Sequence, residues 1–132
     1  MHILVIEDER AARNALINLL KKEGHTVCWA ARWDTGTAQM RREKPDLVLL
    51  DMMIPETGGW KVAKECLNDS ELREISMIIL TGTIDDDVRS QGLANVFAGG
   101  SVIVNKPYRA EKLIRAIEHL QGRKVGSRVQ IR

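Results

Sequence analysis

No stretch of this 132-residue chain approaches the ~20 consecutive apolar residues that a membrane span needs, and no basic N-terminal segment leads into a long apolar run. A membrane role is excluded on this reading, and a cytoplasmic protein is expected. Cysteine is scarce: Cys28 and Cys66 stand apart, each inside an expected element rather than in a Cys-x-x-Cys pair. Buried free thiols are expected there, in place of a disulfide or a metal site. The chain also lacks internal repeats, low-complexity segments and any linker before residue 122. With 44% hydrophobic and 29% charged residues, it suits one globular domain with a sizeable core.

The net charge of +2 conceals an asymmetry. Arg123, Lys124, Arg128 and Arg132 fall in the last ten residues with no acid among them, leaving 16 basic against 18 acidic residues in the rest. The expected organisation is a domain over residues 1–122 and a flexible basic tail over residues 123–132. So short a tail is expected to be solvated, and no nucleic-acid binding is expected of the chain.

The chain is organised around one apolar run, Leu47 to Leu50, bounded by Pro45 and by a loop containing Pro55, Gly58 and Gly59. Four apolar residues in succession predict a strand buried on both faces, as in a parallel sheet. Asp51 follows directly, at the strand end where open α/β sheets bind ligands.

The remaining pattern alternates. Strands are expected at His2–Ile6, Thr26–Ala30, Ser76–Leu80 and Ser101–Val104. The first helix, Arg10 to Glu23, repeats Ala12, Ala15, Leu16, Leu19 and Leu20 at helical spacing and stops at Gly24. Further helices are expected over about Asp34–Glu43, over Trp60–Asn68, after a Thr83/Asp86 start signal, and over Arg109–Gln121. Five strands alternating with five helices imply right-handed crossovers, hence a doubly wound α/β fold with a five-stranded parallel sheet and helices on both faces.

In such a sheet the residues after strands one, three, four and five converge on one edge. They are Glu7 and Asp8, Asp51, Thr81 and Lys106. Three carboxylates held close raise one another's pKa unless a cation shares the site. A hard divalent ion, Mg²⁺, fits a few carboxylates with positions left for water and phosphate oxygens. Thr81 adds a hydroxyl and Lys106 a positive charge, which suits a phosphoryl group carried on Asp51. Singly, each residue has an ordinary structural explanation; the suitable type at four of five strand ends is the argument.

These motifs resemble the receiver domain of two-component response regulators, from Met1 to about Gln121. The matching residues are Ile6-Glu7-Asp8-Glu9, Asp51-Met52-Met53-Ile54-Pro55 with Gly58-Gly59, Leu80-Thr81-Gly82, and Lys106-Pro107. The resemblance implies a flavodoxin-like sheet of strand order 2-1-3-4-5. It implies that Asp51 accepts a phosphoryl group from a sensor histidine kinase or phosphotransfer protein. Glu7, Asp8, Asp51 and the Met53 carbonyl would hold Mg²⁺, Thr81 and Lys106 would bind phosphoryl oxygens, and a cis peptide would precede Pro107.

Three departures from the family pattern involve four positions. Ile103 stands where the family usually has an aromatic residue on the last strand, so an aromatic swing there lacks its side chain. Gly82 replaces the frequent Ala after Thr81, and the uncharged Met53 and Thr83 occupy positions linked to the lifetime of the phosphoryl group. Met53 also argues against a Mg²⁺-dependent phosphatase, which needs an acid there to protonate a leaving group. The acids after strand one argue against a nucleotide or flavin module, which needs glycines and backbone N–H groups there. The expectation is a stand-alone phosphoacceptor, monomeric or dimerising on phosphorylation, whose modification alters partner binding through the face of the fourth helix, fifth strand and fifth helix. The alternative is the N-terminal receiver fragment of a longer response regulator.

Overall fold

The computed structural model describes residues 1–51, 65–66, 68–81, 101–105 and 107–126. Strand β1 (His2–Ile6) leads through an acidic corner into helix α1 (Arg10–Lys22), followed by β2 (Thr26–Ala30), α2 (Trp33–Glu43) and β3 (Leu47–Asp51). A 3₁₀ turn at Leu72–Glu74 precedes β4 (Ser76–Thr81), β5 (Ser101–Asn105) and a last helix, α3 (Ala110–Gly126). The expected helices over Trp60–Asn68 and after Thr83 fall largely or wholly outside the described residues. Within the former, Glu65 and Cys66 are helical.

Among the described residues, the five strands are all parallel, in the order β2-β1-β3-β4-β5. The double burial expected for Leu47 to Leu50 is present, and it divides by parity. Leu4, Ile6, Val48, Leu50, Met77 and Ile79 join Trp33 and Met40 of α2 on one face. Ile3, Val5, Leu47, Leu49, Ile78 and Leu80 join Leu16 and Leu20 of α1 and Leu113, Ile117 and Leu120 of α3 on the other. Alternate side chains of a strand point to opposite faces, so a strand covered on both sides must be apolar throughout.

The helix ends show how closely local sequence governs geometry. Gly24 has φ +93 and closes α1 as expected. At the end of α2, Lys44 takes the left-handed conformation at φ 46, an unusual position for a residue with a Cβ. Helix α2 starts at Trp33, one residue ahead of the expected Asp34, because the indole packs into the core. Strands β3, β4 and β5 each run one residue beyond expectation, so Asp51, Thr81 and Asn105 are the last residues of their strands. Helix α3 continues past Gln121 to Gly126.

Candidate functional site

The β1–β3 register pairs Ile6 with Leu50, so the next residue on each strand, Glu7 and Asp51, is delivered to the same C-terminal edge of the sheet. Both residues are nearly withdrawn from solvent, at 3% and 4% exposure. Asp8, one residue on, is exposed. Glu7 and Asp51 share a hydrogen bond, and Glu7 has a second with Asp8. Such contacts between acids require a proton.

Burial first, then the hydrogen bond and charge of Asp51, push the Glu7 carboxyl up to about 8. The Glu9 backbone N–H opposes this by donating to Glu7 Oε2 at 3.1 Å. The site therefore gathers at least two buried carboxyl groups that cannot both ionise cheaply without positive charge between them. Oxygen donors gathered in this way suit a hard cation.

The corner bearing Glu7 is fixed from two sides. Its backbone N–H donates to the Ala30 carbonyl at 3.1 Å, tying it to β2. Its carbonyl accepts from Arg13 Nη1 at 3.2 Å. Arg13 is only 8% exposed, and its guanidinium lies 4.1 Å from the centre of the Trp29 ring. Sequence reasoning missed this pair, because Arg13 reads as an ordinary exposed helix residue until the fold places Trp29 beside it. Arg13, Leu16 and Leu20 form the buried stripe of α1, whereas the expected Ala15 is exposed.

Thr81 ends β4 in register with Asn105, which ends β5, and Asp51 is in register with Leu80. The backbone thus carries Thr81 to the edge that holds Asp51. Lys106 and Met53 lie outside the described residues, as does the peptide before Pro107. Glu7, Asp8 and Asp51 are brought together as expected, and for Thr81 the placement is that of its strand.

The response regulator receiver domain family matches this chain over residues 3–118. The chain belongs to that family. Receiver domains are the phosphoacceptor signalling domains of two-component systems; they interact with histidine kinases or phosphotransfer proteins, and binding magnesium is a general property of the family. The chain is 30% identical over 121 residues to the phosphate regulon transcriptional regulatory protein PhoB of Escherichia coli, covering 92% of this chain and 52% of that protein. It is 30% identical over 115 residues to the protein PilH of Pseudomonas aeruginosa, covering 87% of this chain and 93% of that one. It spans about half the length of PhoB, whereas it matches PilH nearly end to end.

Among solved structures, a response regulator receiver domain protein from Clostridium thermocellum aligns at TM-score 0.78 and 28% identity, over 93% of this chain and 95% of the other. The receiver domain of a sensor histidine kinase from Pseudomonas aeruginosa, which has a magnesium ion coordinated in its active site cleft, aligns at TM-score 0.76 and 22% identity, over 92% and 97%. The doubly wound fold and its strand order are those of receiver domains. Among the described residues, no helix is long and apolar enough to cross a membrane.

Proposed function

We propose that this receiver takes a phosphoryl group on Asp51 from a sensor histidine kinase or phosphotransfer protein in a Mg²⁺-dependent reaction. The observation that carries the reading is the buried Glu7–Asp51 pair at the ends of adjacent central strands, with Glu7 pushed up to about 8. Glu7, Asp8 and Asp51, with the Met53 backbone carbonyl, would hold the ion. When bound, Mg²⁺ neutralises charge on the acceptor and phosphoryl oxygens.

An Asp51 carboxylate oxygen attacks phosphorus, the bond from phosphorus to the donor imidazole nitrogen breaks, and the donor leaves with that electron pair and is protonated. With positive charge supplied between them, Glu7 would stand ionised beside Asp51 and give its proton to solvent. Thr81 and Lys106 bind the phosphoryl oxygens, and fixed positioning of these groups supplies most of the acceleration. No separate substrate is turned over.

The modified site biases the protein between two conformations that differ in partner binding or self-association, through the last strand and last helix. Ile103 in β5 requires that this bias arise without an aromatic swing at that position. The protein acts in the cytoplasm, as a monomer or as a dimer formed on phosphorylation.

Incubation with acetyl phosphate and Mg²⁺, read by intact mass, tests the chemistry without a known kinase. One phosphoryl group is expected, and it is lost with EDTA and in Asp51→Asn. Modification that persists in either control contradicts the proposal. A chain that no small donor or histidine phosphodonor modifies also contradicts it.

A further inference from the structure

At the opposite, N-terminal edge of the sheet, three side chains of metal-ligating type meet that the phosphoacceptor reading does not use. His2 opens β1, Cys28 is in the middle of β2, and Glu43 ends α2. Parity explains the meeting. His2 is in register with Thr26, so His2, Thr26 and Cys28 share the face covered by α2, whose C-terminus lies at this edge.

His2 Nε2 lies 3.0 Å from Glu43 Oε1 and 3.7 Å from Cys28 Sγ. One ligand atom from each residue lies within 4.8 Å of the others. In a tetrahedral zinc site, bond lengths of ~2.3 Å to sulfur and ~2.0–2.1 Å to nitrogen or oxygen place neighbouring ligand atoms about 3.4–3.6 Å apart. The His2–Glu43 and His2–Cys28 separations fall on either side of that spacing, and the third pair is within 4.8 Å.

The surroundings orient the ligands. His2 Nδ1 is 2.9 Å from Thr26 Oγ1, and the Thr26 hydroxyl donates to the Met1 carbonyl at 3.5 Å. In the metal-free protein Nε2–H donates to Glu43 Oε1 at 3.0 Å; on cation binding the imidazole shifts to its Nδ1–H tautomer, Nδ1 donates to Thr26 Oγ1, and the Nε2 lone pair turns to the cation. Metal-bound imidazoles are held by this kind of outer hydrogen bond. The His2 backbone N–H donates to Asp46 Oδ2 at 2.8 Å, fixing the start of the strand. The Gln39 side chain hydrogen-bonds the Cys28 thiol. Arg42 Nε stands 3.9 Å from Glu43 Oε2, which leaves Oε1 toward the cluster.

We propose that His2 Nε2, the Cys28 thiolate and Glu43 Oε1 form a binding site for a zinc-class divalent cation, separate from the acidic edge that takes Mg²⁺. The sulfur and imidazole ligands select a borderline-soft cation over Mg²⁺. On binding, the thiol releases its proton to solvent, and a water fills the fourth position. The cation clips the edge strand β2 to β1 and to the end of α2, so its effect falls on stability and not on phosphoryl transfer.

Cobalt(II) titration of the untagged, reduced chain in excess Mg²⁺ tests this, because thiolate ligation gives an intense charge-transfer band in the near ultraviolet. The band is expected in the unaltered protein and in Cys66→Ser, and is lost in Cys28→Ser. His2→Gln and Glu43→Gln, whose side chains are partly open to solvent, each weaken cobalt binding at least tenfold. They keep the test decisive should Cys28→Ser fail to fold. Zinc displaces cobalt and raises Tm. Absence of a thiolate band, a band that survives Cys28→Ser, or unchanged affinity in both other variants overturns the proposal.

Discussion

Glu7 and Asp51 share a hydrogen bond between side chains from adjacent strands, in a setting that leaves both nearly free of solvent. The contact needs a proton in the metal-free protein and is incompatible with two full negative charges.

A pH dependence of stability follows. The folded Glu7 carboxyl is raised from 4.5 to about 8. A raised carboxyl favours the native state in its protonated form, so its contribution is complete below pH 4.5 and is lost as pH climbs toward 8. Metal-free protein should lose stability across that window, and Mg²⁺ should restore more of it at pH 8 than at pH 6. Glu7→Gln, which needs no titratable proton, should gain about 1–3 kcal/mol over the parent without metal near pH 8. It should also lose most of its Mg²⁺ response. Thermal melts at several pH values, with and without Mg²⁺, measure both effects.

Arg13 anchors the same corner from beneath. Arg13→Ala removes a hydrogen bond to the Glu7 carbonyl, the contact with Trp29 and buried side-chain volume. The expected cost is about 1–3 kcal/mol in denaturant unfolding. Arg13→Met should recover part of it by restoring the aliphatic stem.

Helix α2 packs closely on β1 at Gly36. A Cβ there would lie 2.7 Å from Ile6 Cδ1, and Ile6 is fully buried with little room to move. Gly36→Ala should therefore destabilise by about 1–2 kcal/mol, despite alanine's better helix propensity. Ile6→Val removes the offending methyl. In the double variant the two costs should sum to less than the separate values, a coupling that a double-mutant cycle reads directly.

Lys44 offers the reverse case. Its φ of 46 is strained for any residue with a Cβ and free for glycine. Lys44→Gly should leave the fold intact and raise stability by up to about 1 kcal/mol, the relief being partly offset by the entropy of a more flexible unfolded chain.

Much of this architecture was legible in the residues. Leu47 to Leu50 announced a doubly buried strand, and Gly24 announced the end of α1. The acids after His2–Ile6 and Leu47–Leu50 pointed to one edge because parallel strands share a direction. Other features depend on contacts distant in sequence. Arg13 on a buried stripe makes sense only once Trp29 and the Glu7 carbonyl surround its guanidinium. Trp33 belongs to α2 because its indole fills the core and its Nε1 donates to Glu65 Oε2 at 2.9 Å. Cys28, expected to be a buried free thiol, is half-buried beside His2 and Glu43. Its two partners are 26 and 15 positions away, too far for any spacing motif to join them.

The central claim is that Asp51, held against Glu7, is the residue that carries phosphate. Chemical marking of the acyl phosphate tests it most directly: after reaction with acetyl phosphate and Mg²⁺, borohydride reduces an aspartyl phosphate to homoserine, and peptide mass spectrometry locates it. The account predicts homoserine at position 51, dependent on both the donor and Mg²⁺. Homoserine at position 8, or an unreduced chain that nonetheless carries phosphate, would contradict it.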